Sequence, residues 1–174
     1  MLPWGHLAVG YLAVGGTTHL RRGRAPTYGA TWTVVVASQL PDLVDKPLAW
    51  TLDVLPGGRT LAHSAAFGVV VLVAAWWLAR SGRGHIAEAL AVGHASHLVA
   101  DVPPRALLGD ISGLAYLGWP LTTMADYPDP PGILPYLVDA STEPDAIAQV
   151  GLLAVAVAVW WRDGRPGLSR TDPP

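Results

Sequence analysis

Apolar residues along this chain gather into five stretches, at 4–20, 28–40, 61–79, 86–102 and 146–161, with short polar breaks between most of them. Their length and lack of strict alternation predict helices rather than strands. Leu61 to Ala79 and Ala146 to Trp161 approach the roughly 20 residues that cross a bilayer, and the second carries no charge. The other three are shorter and interrupted by His, Asp and Thr. Between the fourth and fifth stretches, residues 103–145 hold eight of the sixteen Pro and two apolar runs, Ile111 to Leu121 and Ile133 to Val138. That composition predicts interfacial turns and short helices folded back as a lid. Residues 164–174, rich in Pro, Gly and Arg, are expected to fray as a disordered cytoplasmic tail.

Composition turns these helices toward lipid. Of 174 residues, 51% are hydrophobic and 14% charged, with a mean hydropathy of +0.35; soluble domains carry about 25% charge. The absence of Cys removes thiolate ligands and thiol nucleophiles, and a net charge of −2 provides no basic field for nucleic acid. A soluble bundle with a very apolar core is the competing reading, and charge placement decides against it. With the N-terminus outside and five crossings, the inner segments carry Arg21, Arg22, Arg24, Arg80, Arg83, Arg162, Arg165 and Arg170. The outer segments carry ten acids against Lys46, Arg59 and Arg105. This is the positive-inside pattern. Trp76-Trp77 and Trp160-Trp161 precede inner Arg residues as an aromatic belt, and Trp4, Trp50 and Trp119 fall on the outer side. The expectation is a single all-α domain over 1–163. It is an integral bundle of about five transmembrane helices in the inner or plasma membrane, N-out and C-in, with a first helix that is retained.

Charged groups inside spans are costly and mark function. His6 lies near the outer end of the first helix, Asp42 and Asp45 close the second, His63 opens the third, and His94, His97 and Asp101 occupy the outer half of the fourth. All seven fall on one side of the membrane. At about 100° per residue, the last three share an arc of about 60° on one helix face. Imidazole and carboxylate are the ordinary N/O ligands of zinc and related divalent ions. Four His and three Asp exceed one tetrahedral ion, so two divalent ions are expected, with zinc favoured and manganese or magnesium also suitable. Asp45 and His94 are the two that a supporting role would suit as well. Arg59, four residues before His63, is placed to clamp a phosphate oxygen. Ser64 reads as a cap or hydrogen-bonding group, and Glu88 as a partner for a loop Arg. Gly5, Gly10, Gly15 and Gly16 let the first helix approach its neighbours. Asp126, Asp129 and Asp139 in the lid are further acids that nothing singles out.

Taken together, Trp4-Gly5-His6, Leu40-Pro41-Asp42-x-x-Asp45, His63-Ser64, Gly93-His94-x-x-His97-x-x-x-Asp101 and Gly118-Trp119-Pro120-Leu121 resemble the YdjM-like family. These are membrane-bound predicted metal-dependent hydrolases, also described as LexA-binding and inner-membrane-associated. The resemblance implies metal ligands at His6, Asp42, His63, His97 and Asp101. The chain departs from the family pattern at Arg59-Thr60-Leu61-Ala62-His63-Ser64, where Arg-Gly-x-Thr-His-Ser is usual, and at Val102-Pro103, where Thr-Pro is usual. A weaker likeness is to the all-helical zinc phospholipases C and single-strand nucleases. No His-Glu-x-x-His, Gly-x-Ser-x-Gly or Walker loop is present. The expected activity is hydrolysis of a phosphoester, in a lipid or lipid-linked substrate, at the outer membrane face. Metal-activated water attacks, Asp42 or Asp45 accepts its proton, and Arg59 or a second metal stabilises the leaving oxygen. The alternatives are a metal or proton transporter, or a non-catalytic membrane protein with a structural metal site.

Overall fold

The computed structural model describes residues 1–123 and 130–169, and every regular element among them is helical. The elements are α1 (Pro3–Arg22), α2 (Tyr28–Ala37), α3 (Leu40–Trp50), α4 (Ala65–Arg80) and α5 (Gly84–Ala100), then two 3-10 helices (Pro104–Leu108 and Ile111–Gly118), α6 (Ile133–Thr142) and α7 (Pro144–Arg162). The five apolar stretches thus become α1, α2, α4, α5 and α7. Local chemistry sets their ends. Pro3 occupies the first turn of α1, whose missing N–H costs nothing there, and Gly23 ends that helix at φ 63°, returning its N–H to the His19 carbonyl. Thr27 caps α2 by accepting from the Ala30 N–H, and Ser64 caps α4 by accepting from the Phe67 N–H.

One expectation fails here. Asp42 and Asp45 do not close the second helix; the chain breaks at Ser38-Gln39 and starts a separate helix, α3, with Pro41 in its first turn. Proline lacks the N–H that would continue the preceding ladder but suits a helix start. Gln39 Nε2 donates to the Pro3 carbonyl at 3.1 Å, pinning the break to the start of α1.

Helix α5 lies at the centre, packed by α1, α2 and α4, while α7 covers α1. Close approach depends on missing side chains. A Cβ on Gly10 would lie 2.8 Å from Ser38 Cβ, and one on Gly93 3.0 Å from Ala37 Cβ. A Cβ on Gly15 or Gly16 would meet nothing, so only the N-terminal half of the expected small-residue stripe, Gly5 and Gly10, serves packing. A buried apolar layer of Tyr11, Val14, Ala30, Val34 and Ala89 fills the middle of the bundle. Toward the Arg-rich end, Arg22 Nη1 pairs with Glu88 at 2.6 Å, and Asp163 accepts from Tyr11 at 3.2 Å.

Outward faces of α4 and α7 are apolar: Val69, Val70, Leu72, Val73, Trp76 and Trp77 are exposed on one, Ile147, Val150, Val155, Val157 and Trp161 on the other. Among the described residues α7 alone is long and apolar enough to cross a membrane, and α4 is a shorter apolar helix. With 10 residues, α2 rises about 15 Å, half the hydrocarbon core, so five equivalent crossings are not what the helices present. The lid segment forms the expected short helices, although Asp126 and Asp129 lie outside the described residues. Residues 164–169 do not fray as expected. Trp160 Nε1 donates to the Pro166 carbonyl at 3.0 Å and Trp32 Nε1 to the Gly167 carbonyl at 3.1 Å, holding this piece against α2 and α7. The rest of the expected tail, 170–174, lies outside the described residues.

Candidate metal centre

Four segments distant in sequence meet beside the N-terminal end of α1 and the C-terminal end of α5. Helix α3 supplies Asp42 and Asp45, the loop before α4 supplies His63, α5 supplies His97 and, at its C-cap, Asp101, and α1 supplies His6. All six are buried, with His6, Asp45, His63 and His97 fully inaccessible.

Orientation of the two central imidazoles follows from their outer nitrogens. His63 Nδ1 donates to Asp45 Oδ2 at 2.7 Å, and His97 Nδ1 donates to the Ser38 carbonyl at 2.7 Å. Neither acceptor has a proton to give, so each ring carries its hydrogen on Nδ1. In the neutral rings both Nε2 atoms are then acceptors facing each other, 3.1 Å apart, a contact that needs a proton or a metal ion between them. Two lone pairs that close repel unless a cation lies between them. Two carboxylate oxygens complete the group. Asp42 Oδ1 lies 3.6 Å from His63 Nε2 and 3.8 Å from His97 Nε2, and Asp101 Oδ2 lies at the same two distances. Asp42 Oδ1 is buried with no hydrogen-bond partner among the described residues.

These residues fit a divalent ion. One donor atom from each of Asp42, His63, His97 and Asp101 lies within 4.8 Å of the other three. Metal–ligand bonds of about 2.0–2.1 Å in a tetrahedron put neighbouring ligands about 3.3 Å apart. The separations above, 3.1 to 3.8 Å, bracket that value. Imidazoles whose Nδ1–H groups are held by a carboxylate and a backbone carbonyl are how proteins usually present Nε2 to a metal.

The remaining expected residues take other places. Asp45 is a supporting residue: its carboxylate accepts from the backbone N–H groups of Thr60 (2.8 Å), Ala62 (2.8 Å) and His63 (3.3 Å) as well as from the His63 ring. With both oxygens so engaged, it stands outside the four-donor group. His6 stacks on His97, ring centroids 3.8 Å apart, and sets Nε2 3.3 Å from Asp101 Oδ1, the oxygen turned away from the four-donor group. His94 stands apart: one turn further along α5, it packs against Phe67 with centroids 5.8 Å apart, and neither ring nitrogen has a hydrogen-bond partner among the described residues. Arg59 places Nε 3.0 Å from Asp101 Oδ2, and its side chain is 41% exposed, so it brings a cation to the mouth of the centre.

Two participants escape a reading of the sequence. Lys46 Nζ binds Asp42 Oδ2 at 2.6 Å, leaving Oδ1 for the centre, and the ammonium sits 4.5 Å from the Tyr136 ring centroid on α6. The i, i+4 spacing of Asp42 and Lys46 was the available signal. Tyr116, from the second 3-10 helix, stands edge-on to His63 at 6.1 Å, and its buried hydroxyl has no hydrogen-bond partner among the described residues. No spacing rule links a lid residue to a helix so far upstream.

The sequence model of the YdjM inner membrane protein family matches residues 1–162. No curated protein and no solved structure matches the chain. The chain therefore belongs to the YdjM family of inner membrane proteins, and the four buried donors lie within the matched region.

Proposed function

We propose that this YdjM-family chain is a membrane-bound metal-dependent hydrolase that cleaves a phosphoester of a lipid or lipid-linked substrate at the outer membrane face. The observation that carries the reading is the pair of Nε2 atoms 3.1 Å apart between two buried carboxylates. A divalent ion held there supplies Lewis acidity and makes water nucleophilic near neutral pH. The protein's own groups divide the other tasks. His63 and His97 hold their ring orientations through Asp45 and the Ser38 carbonyl. Of the two carboxylates considered as proton acceptors, Asp45 has both oxygens on N–H donors, and Asp42 has Oδ2 on Lys46 and Oδ1 turned to the donor group, where it would lie beside a water on the ion. Arg59, half-exposed above Asp101, offers charge to a phosphoryl oxygen. A second ion beside His6 and Asp101 Oδ1 would have to take the place of the Met1 ammonium, which binds that oxygen at 2.8 Å.

Helix lengths support the outer placement. His97 lies 13 residues into α5 from Gly84, a rise of about 20 Å from the Arg-rich side. That depth approaches the far boundary of a hydrocarbon core about 30 Å thick, within reach of headgroups. The apolar outer faces of α4 and α7, together with the sidedness of Arg, favour a multi-pass bundle with the N-terminus outside. A transporter reading lacks a polar route. The Tyr11–Val34–Ala89 layer separates the centre from the inner end, where Arg22–Glu88 and Tyr11–Asp163 are paired with each other.

Metal analysis of the detergent-purified protein, combined with turnover of a phosphate ester in mixed micelles, tests the proposal. Stoichiometric divalent metal with turnover that disappears in His97→Ala supports it. Stoichiometric metal with no turnover on phospholipid or generic phosphoesters sinks the enzyme reading and leaves a structural metal site.

A further inference from the structure

Tyr116 reaches the centre from the lid, and its hydroxyl has no use inside the protein. The residue is 3% exposed, and the phenol oxygen is buried without a hydrogen-bond partner among the described residues. Such groups are rare in folded proteins because phenylalanine fills the same space without stranding a donor. The local acceptors are engaged elsewhere. Asp101 Oδ2 faces Arg59, and Asp101 Oδ1 faces His6 and the Met1 amino group.

Position is not left to chance. Asp110 caps the second 3-10 helix, accepting from the Ser112 N–H at 3.1 Å and its hydroxyl at 2.6 Å, and Arg105 pairs with Asp110 at 3.6 Å. Gly113 lets the two 3-10 helices close on each other, since a Cβ there would come 2.9 Å from Pro103. The ring meets His63 at an interplanar angle of 89°. A phenol is an O–H donor at neutral pH.

We propose that Tyr116 donates its O–H to an oxygen of a phosphoryl anion bound at the metal centre, acting with the Arg59 guanidinium as the ligand-reading edge of the site. The choice of ligand rests on the hydrolase reading above. The chemistry is that of a tetrahedral oxyanion, whether free phosphate or a lipid headgroup. A neutral donor beside a cation suits such an anion: the guanidinium supplies charge, and the phenol supplies direction.

The test compares zinc-loaded wild type with Tyr116→Phe in detergent, titrated with inorganic phosphate by calorimetry. Because the hydroxyl has no internal partner, Tyr116→Phe should keep the wild-type zinc content and melt no lower. Phosphate affinity should fall about tenfold, the usual effect of losing a hydrogen bond to a charged group. Equal phosphate affinity in the two proteins overturns the proposal. So does wild type that binds zinc but no phosphate, or Tyr116→Phe that loses zinc or melts early, since the ring would then be structural. Wild type that binds no zinc fails at the metal centre itself, which separates that failure from this one. A second arm places both proteins in phosphatidylcholine nanodiscs with and without phosphatidic acid. Loss of phosphate binding to wild type with phosphatidic acid present supports the proposal with a headgroup as the source of the anion. Unchanged phosphate binding there, with the Tyr116→Phe defect retained, supports it with a soluble phosphate.

Discussion

His63 and His97 turn their Nε2 atoms toward each other across 3.1 Å, each with its Nδ1–H already given away, one to Asp45 and the other to the Ser38 carbonyl. The arrangement is complete only with a positive charge between the rings. Helices α2, α3 and α5 and the loop before α4 all contribute to it, so the bundle's stability is coupled to that charge.

Adding zinc should therefore raise the melting temperature of the metal-stripped protein. A ligand present at a hundred times its Kd stabilises by about 2.7 kcal/mol. His97→Ala should abolish the zinc-dependent rise, which differential scanning fluorimetry in detergent would read. Nitrogen and carboxylate ligands bind metal deprotonated, so affinity falls as pH falls and protons are released on binding. Affinity that is flat from neutral to acid pH would contradict this ligand set.

Asp45→Asn should weaken zinc binding about 10–100-fold, the usual cost of losing the partner that orients a ligand imidazole. Because Asp45 also accepts from three backbone N–H groups of the 60–63 turn, some melting temperature should be lost even without metal. His94→Ala serves as the contrast, since His94 stands apart from the donor group. It should leave zinc affinity near wild type, as measured by competition with a chromophoric chelator.

Gly10→Val acts at a distance. The new side chain meets Ser38, whose carbonyl holds the His97 ring. Overpacking of this kind costs about 1–3 kcal/mol. It should also lower zinc affinity by shifting the acceptor of His97 Nδ1. Gly15→Val, facing open space, should do neither.

The absence of native Cys makes topology directly testable. With the N-terminus outside, Asp53→Cys should react with a membrane-impermeant maleimide added to intact spheroplasts, and Arg83→Cys should react only after lysis. The reverse labelling pattern would invert the proposed orientation and place the centre on the cytoplasmic side.

Much of this was legible along the chain. The five apolar stretches became α1, α2, α4, α5 and α7, because helix formation and hydrophobic burial both follow local pattern. Asp42, His63, His97 and Asp101 stood out for a related reason: buried ionisable groups are too costly to keep without a partner. Local spacing misled at His94. It shares a helix face with His97 but sits one turn, about 4.5 Å, along the axis, where the neighbour is Phe67 rather than Asp42. The helix α3 was hidden because Pro41 both ends one ladder and opens the next, and only packing against α1 decides how sharply the chain turns.

The sequence by itself determined an all-helical, membrane-family chain and the donor types available to a metal, since composition and periodicity act residue by residue. Tertiary structure alone decided which oxygen of each carboxylate faces inward, which histidine is left aside, and that Tyr116 meets His63 edge-on. Those outcomes turn on a few ångströms of distance between segments far apart in the chain, which no local pattern encodes.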